Sequence, residues 1–203
     1  MSLVATKAGG DFKLAPEGVH SAICFSIYDL GHHWSEFAGE GSFKHKCMIV
    51  FELHGDFDTK LDDGKPMAVN TRLTISLHEK ANMRKLLEGW RGRKFTDAET
   101  EGFDLTALLG KPCQLQIMHA ESKGKTYANI ANILPAAKGE HLVQINPSKM
   151  YRIEEREKFP ETMPEWIRKI VLQSQEMTGK SASGEESQEA PSHVPDLDSD
   201  VPF

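Results

Sequence analysis

Apolar and polar residues alternate along much of the first two thirds of this chain, and the alternation divides it into short strands. Residues 18–30, GVHSAICFSIYDL, set Val19, Ile23, Phe25 and Ile27 against His20, Ser26 and Tyr28, the period of two of a half-buried strand. Residues 31–42, GHHWSEFAGEGS, are glycine-rich and aperiodic and predict a loop. Residues 43–55 alternate again, with Phe43, Cys47, Ile49, Phe51 and Leu53 inward and Lys44, Lys46, Met48, Val50 and Glu52 outward. A turn at 56–66 carries Asp-Asp-Gly chemistry. Residues 67–77 then place Val69, Leu73, Ile75 and Leu77 inward, with Asn70, Arg72, Thr74 and Ser76 outward.

The period changes after residue 77. Ala81, Met83, Leu86, Leu87 and Trp90 fall near one face at helical spacing, and Gly89 or Gly92 closes that helix. A second helical turn, DLTALLGK, ends at Gly110. Residues 112–134 are two more strands around a Ser-Lys-Gly-Lys turn, with Cys113, Leu115 and Ile117 alternating with Gln114, Gln116 and Met118. Three strands, a helix and two strands is the order of the OB-fold, a five-stranded Greek-key barrel. Residues 18–135 are therefore expected to form a mainly β domain with its helix between strands 3 and 4. An open sheet with the helix across one face is the alternative.

The flanks read differently. Residues 1–17 are a loose lead-in, and 136–177 a charged, amphipathic, helical extension. In that extension Trp166, Ile167, Ile170 and Val171 form a stripe and Pro164 suits a helix start. It is expected to pack on the barrel or on another copy of the chain. Residues 178–203 are rich in Ser, Gly, Glu and Pro, a composition of disorder.

Charge sharpens this division. The formal net charge is −6, but the stretch 178–203 holds one base against six acids, leaving 23 Lys and Arg against 24 Asp and Glu in the body. A near-neutral body can carry a basic face. No apolar run reaches the ~20 residues of a membrane helix, and the N-terminal residues lack the features of a signal peptide, so the cytoplasm is the expected location. Cys24, Cys47 and Cys113 are odd in number and widely spaced, which predicts reduced core thiols rather than a disulfide framework or a zinc site.

Motifs for catalysis are missing: the chain has no phosphate-binding loop, no H-E-x-x-H and no G-x-S-x-G. No cofactor or metal is expected. His32-His33 with Glu36 is the nearest approach to a metal site, and a solvated loop explains it better. Asp56, Asp58, Asp62 and Asp63 could form a nuclease-like acidic centre, but they sit at a turn. Arg91, Arg93 and Lys94 are as well explained by a helix C-terminus as by a ligand.

A binder of single strands needs positive charge for phosphates and flat side chains for bases. OB-folds carry these on strands 2 and 3 and on the loops joining strands 1–2 and 4–5. The sequence supplies Lys44, Lys46 and Arg72 on the strands and Trp34 and Phe37 in the first loop. Lys123, Lys125 and Tyr127 lie in the 4–5 hairpin, with Tyr28 beside them at the end of strand 1.

The chain ends in DLDSDVPF. An acidic run closing on Pro-Phe offers carboxylates, an apolar ring and a terminal carboxylate to a basic-rimmed pocket. This closely resembles the C-terminal tip of bacterial single-stranded DNA-binding proteins. Asp196, Asp198, Asp200, Pro202 and Phe203 match that tip, Val201 stands where it has isoleucine, and Ser199 interrupts the acids. The resemblance implies that the tip recruits replication, recombination and repair proteins and competes with DNA for the protein's own basic face. In layout the body is more similar to the divergent OB-fold single-stranded DNA-binding proteins of phages and prophages. The expected function is sequence-tolerant coating of single-stranded DNA, without turnover. A protein-interaction barrel and, third, a metal-dependent nuclease are the alternatives.

Overall fold

The computed structural model describes residues 13–37, 39–122, 124–155 and 158–179. Six strands form one mainly β sheet: β1 (Gly18–Phe37), β2 (Glu40–His54), β3 (Ala68–Thr74), β4 (Pro112–Ser122), β5 (Lys125–Pro135) and β6 (Lys149–Tyr151). The helices are α1 (Asn82–Arg91), α2 (Asp97–Thr100), α3 (Glu165–Leu172) and α4 (Gln175–Thr178). The strand order is β3-β2-β1-β4-β5, every neighbouring pair antiparallel, and β6 lies parallel against β1. The path stays open, but β3 and β5 approach each other and α1 packs against both.

Two apolar clusters hold the sheet. The larger covers one face and includes Cys24, Ile27, Cys47, Ile49, Phe51, Leu73, Leu115 and Ile133, closed by Met83, Leu87 and Trp90 of α1. The indole Nε1 of Trp90 donates to the carbonyl of Pro112 at 2.9 Å, fixing the helix to the start of β4. Gly89 faces the carbonyl of Ile133, where a β-carbon would come within 2.7 Å, so α1 lies closer to β5 than any side chain there would allow. All three cysteines are buried, and burial pushes the Cys24 thiol up to about 12. They act as small apolar packing groups.

The second cluster is where the C-terminal extension packs on the sheet, one of the two placements expected for it. The C-terminal residues fold back over the opposite face of β1 and β2, where Tyr151, Ile153, Met163, Ile167 and Val171 pack on Phe25, Tyr28, Leu30, Met48 and Val50. Met48 and Val50 were expected to face away from the core. They do leave the first cluster, only to be buried in the second. Residues 149–151 form β6 and 153–155 a 3₁₀ turn, in place of an amphipathic helix. Strand β6 satisfies part of the β1 edge that β4 leaves bare beyond Ile23.

Bulges explain the misread parity of β1. The register with β2 shifts between Cys24 and Ser26 and again between Asp29 and Gly31. One extra residue moves the following side chains to the other face. Ala22, Cys24 and Ile27 therefore line the first core and Phe25 the second, while Val19 is exposed.

Glu52, also expected to face outward, is wholly buried and anchors the strap that leads into β6. Its carboxylate accepts hydrogen bonds from the backbone N–H of Ile145 and Asn146, each at 2.7 Å, and from the Asn146 amide at 2.8 Å. His54 Nε2 donates to it at 2.9 Å. Burial pushes this carboxyl up, and the four donors outweigh burial and leave it below the usual carboxylate range.

Candidate nucleic-acid interface

The stretch expected to be a loop between strands 1 and 2 is a two-stranded arm. β1 continues to Phe37 and pairs residue by residue with β2, His32 with His45, His33 with Lys44, Trp34 with Phe43, Ser35 with Ser42. Asp29 sets the base of the arm: its Oδ1 accepts from the Gly31 N–H at 2.9 Å and from His45 Nε2 at 2.7 Å.

Trp34 is the outstanding side chain on this arm, 48% exposed although it belongs to a strand. Its ring meets Phe43 edge-on, with centroids 5.3 Å apart and planes at 73°. On the other side it rests on Gly41, where a β-carbon would lie 2.0 Å from Cζ2. Trp34 is thus held by two neighbours while part of its surface stays open to a flat partner.

The expected convergence of rings and cations on one surface does not occur on the arm. Successive side chains of a strand point to opposite faces. Trp34 and Phe43 share one face, so His33 and Lys44 lie on the other. Lys46, Met48 and Arg72 continue that second face, and the C-terminal extension covers much of it. Tyr28 is only 4% exposed and packs in the second core, and burial raises its hydroxyl pKa. Lys46 is 8% exposed, Lys44 and Arg72 are half-buried, and Arg72 pairs across the ladder with Met48. Lys46 and Arg72 act on His33, whose pKa burial lowers first and these two cations lower further. Tyr28 and Lys46 therefore stand corrected as open surface positions. A folded-back segment, which the strand pattern does not reveal, fills their side of the sheet.

On the 4–5 hairpin, Lys125 is exposed and Tyr127 half-buried. Tyr127 lines a shallow groove of about 210 Å³ with Lys13, Asn70 and Asn129, where β5 meets the edge of β3. The side chain of Phe37, the residue Lys123, and the tip residues Asp196, Asp198, Asp200, Val201, Pro202 and Phe203 lie outside the described residues.

Several of the remaining sequence candidates have local partners. Arg91 and Arg93 both pair with Glu99, Arg93 Nη2 at 2.7 Å, and Glu99 also closes the capping box of α2 with Thr96. His32 and His33 diverge: His32 Nδ1 meets Glu176 at 2.5 Å, whereas His33 Nε2 meets the carbonyl of Leu30 at 2.9 Å. Asp63 pairs with Lys65 at 2.7 Å. Among the described residues, no three His, Cys, Asp or Glu side chains converge to hold a metal ion, and no helix is long and apolar enough to cross a membrane.

The sequence reading missed Gly41, Phe43 and His45 as parts of the arm, and Glu176 as its clasp. Glu176 accepts from the His32 backbone N–H at 2.9 Å as well as from its ring. Burial raises the Glu176 carboxyl, but the His32 hydrogen bonds prevail and hold it down at about 2. No protein-family model and no curated protein matches the chain.

Proposed function

We propose that the protein binds single-stranded DNA on an OB-fold, coating exposed strands of phage or prophage type during replication or recombination. The observation that supports this reading is the strand order β3-β2-β1-β4-β5 with α1 between β3 and β4, the order expected of an OB-fold whose seam would lie at β3 and β5. The half-exposed Trp34 supports it, because base stacking on an aromatic ring is sequence-tolerant. Lys44 on the reverse of the arm, and Lys125 and Tyr127 on the 4–5 hairpin, supply phosphate and further base contacts. Tyr28 and Lys46 drop out of the binding set. DLDSDVPF would recruit replication and recombination proteins, as its resemblance implies.

A second reading, a barrel that binds a protein, draws on the carboxylates of Asp29 and Glu176 at the base of the arm, which disfavour phosphate nearby. Competition separates the two. Oligo(dT) should displace any ligand of the arm if the surface binds single strands, and leave it bound if the surface is protein-specific.

A further inference from the structure

The rings on the arm do not end with Trp34 and Phe43. Two ladder pairs closer to the core, His32 and His45 are cross-strand partners whose rings stack, centroids 4.6 Å apart and planes at 19°. Side chains two residues apart share a face of a strand. His32 therefore follows Trp34 along β1, and His45 follows Phe43 along β2, so that four flat rings form two consecutive ranks on one face. The histidine side chains are 40% and 33% exposed. A carboxylate orients each: Glu176 holds His32 and Asp29 holds His45.

We propose that the stacked His32–His45 pair is a second base-stacking step, seating the nucleobase next to the one on Trp34, and that protonation of His45 tightens its hold on the strand. The inference rests on the single-strand reading above and adds residues and a pH response to it. Histidine is one of the side chains on which unstacked bases lie.

The charge around the pair gives the direction of the response. Asp29 from β1, Glu176 from α4 and Glu154 from the turn before α3 all act on His45, and Lys46 and Arg72 act on the neighbouring His33. With a neutral His45 ring the three carboxylates oppose an approaching phosphate; the proton that His45 takes up offsets one of them. The hydrogen bond to Asp29 raises the pKa of His45, so its charging begins at a higher pH than for an unperturbed histidine.

The test is titration of the full-length protein with a dT oligomer at fixed salt, from pH 5.5 to 8.5. Wild type should bind roughly threefold or more tightly at the acid end, the scale of a partly exposed charge. His45→Gln can still donate to Asp29 but cannot take up a proton, and should flatten the response. His45→Phe keeps a ring and should bind near wild type at pH 8, also without the response. The His32→Ala/His45→Ala pair should lose roughly 5- to 100-fold in affinity, the scale of one stacked base. A wild-type affinity that does not change with pH, or a response retained in His45→Gln, overturns the inference, and if Trp34→Ala still weakens binding the single-strand reading survives it. If wild type binds no oligomer at any pH, the reading itself fails and the inference with it.

Discussion

The six-membered ring of Trp34 occupies the space beside Gly41 in which any other residue would carry its β-carbon, 2.0 Å from Cζ2. The backbone at Gly41 does not need glycine, since its φ lies outside the left-handed range. What needs the missing side chain is the indole. Gly41→Ala should therefore push Trp34 off its seat with little cost in stability, within about 0.5–1 kcal/mol for an exposed site. Oligonucleotide binding should weaken by about 1–3 kcal/mol, as for loss of one stacked base. Tryptophan emission of the free variant, compared with Trp34→Ala, reports the displacement.

Glu52 predicts a defect far from the arm. Glu52→Gln keeps the shape but removes the charge and puts a donating amide where one oxygen accepts two hydrogen bonds, at a cost of at least about 1.5–3 kcal/mol. Urea denaturation measures it. The strap at 140–148 should become protease-sensitive first, because Ile145 and Asn146 lose their anchor.

The pH dependence of stability has opposite signs at the two ends. The carboxyls of Glu52 and Glu176 lie below their usual 4.5, so their contributions are complete above that value and lost as pH falls, for Glu176 down to about 2. His45 is raised, so its contribution is complete below its usual 6.5 and lost as pH climbs through the raised value. Thermal melts of wild type should show both slopes. Glu52→Gln should shallow the acid slope and leave the other unchanged.

Gly31 is the point at which the C-terminal extension meets the arm. Its φ is +80°, and an added β-carbon would lie 2.6 Å from Glu176 Oε2 and 2.7 Å from the Ser174 β-carbon. Gly31→Ala should combine backbone strain of about 1–3 kcal/mol with displacement of α4. Faster hydrogen exchange at the His32 amide, which loses Glu176 as its acceptor, is the expected signature.

How far the sequence told this in advance depended on whether one face of a segment was dry and the other wet. The inward sets of β3 and β4 alternate cleanly and were legible, as were the apolar stripe of α1 and its end at Gly92, one of two glycines that could close it. β1 was legible only in part, because the bulges at Phe25 and Leu30 twice reverse its parity. The arm showed no period at all. Neither of its faces is a core, and cross-strand ring pairs and a glycine hold it together, so His32, Trp34 and Gly41 appear as loop composition, while Phe43 and His45 fall in the alternating stretch that follows. Packing of the extension on the barrel was one of two expectations, but which strands it covers was not read, because Met48 and Val50 alternate with the first-core residues, giving an unbroken apolar run at 47–51. Such a run is what a strand covered on both faces produces. That signal was present and could have foretold a cover over β2.

The tip residues carry their own prediction. Deleting Asp196–Phe203 should leave oligonucleotide affinity equal or higher and abolish capture of replication or recombination proteins. Fluorescence titration and pull-down, run on the same preparation, measure the two together. Collapse of DNA binding on deletion would contradict the role given to the tip.

The most direct test is a titration of the full-length protein with dT oligomers, following tryptophan emission at low and moderate salt. The account predicts saturable quenching that weakens with salt, is absent with an equal length of duplex and is lost in Trp34→Ala. No change in emission and no gel shift in wild type, repeated after removal of the tip, would contradict single-strand binding and leave the arm as a surface for a protein.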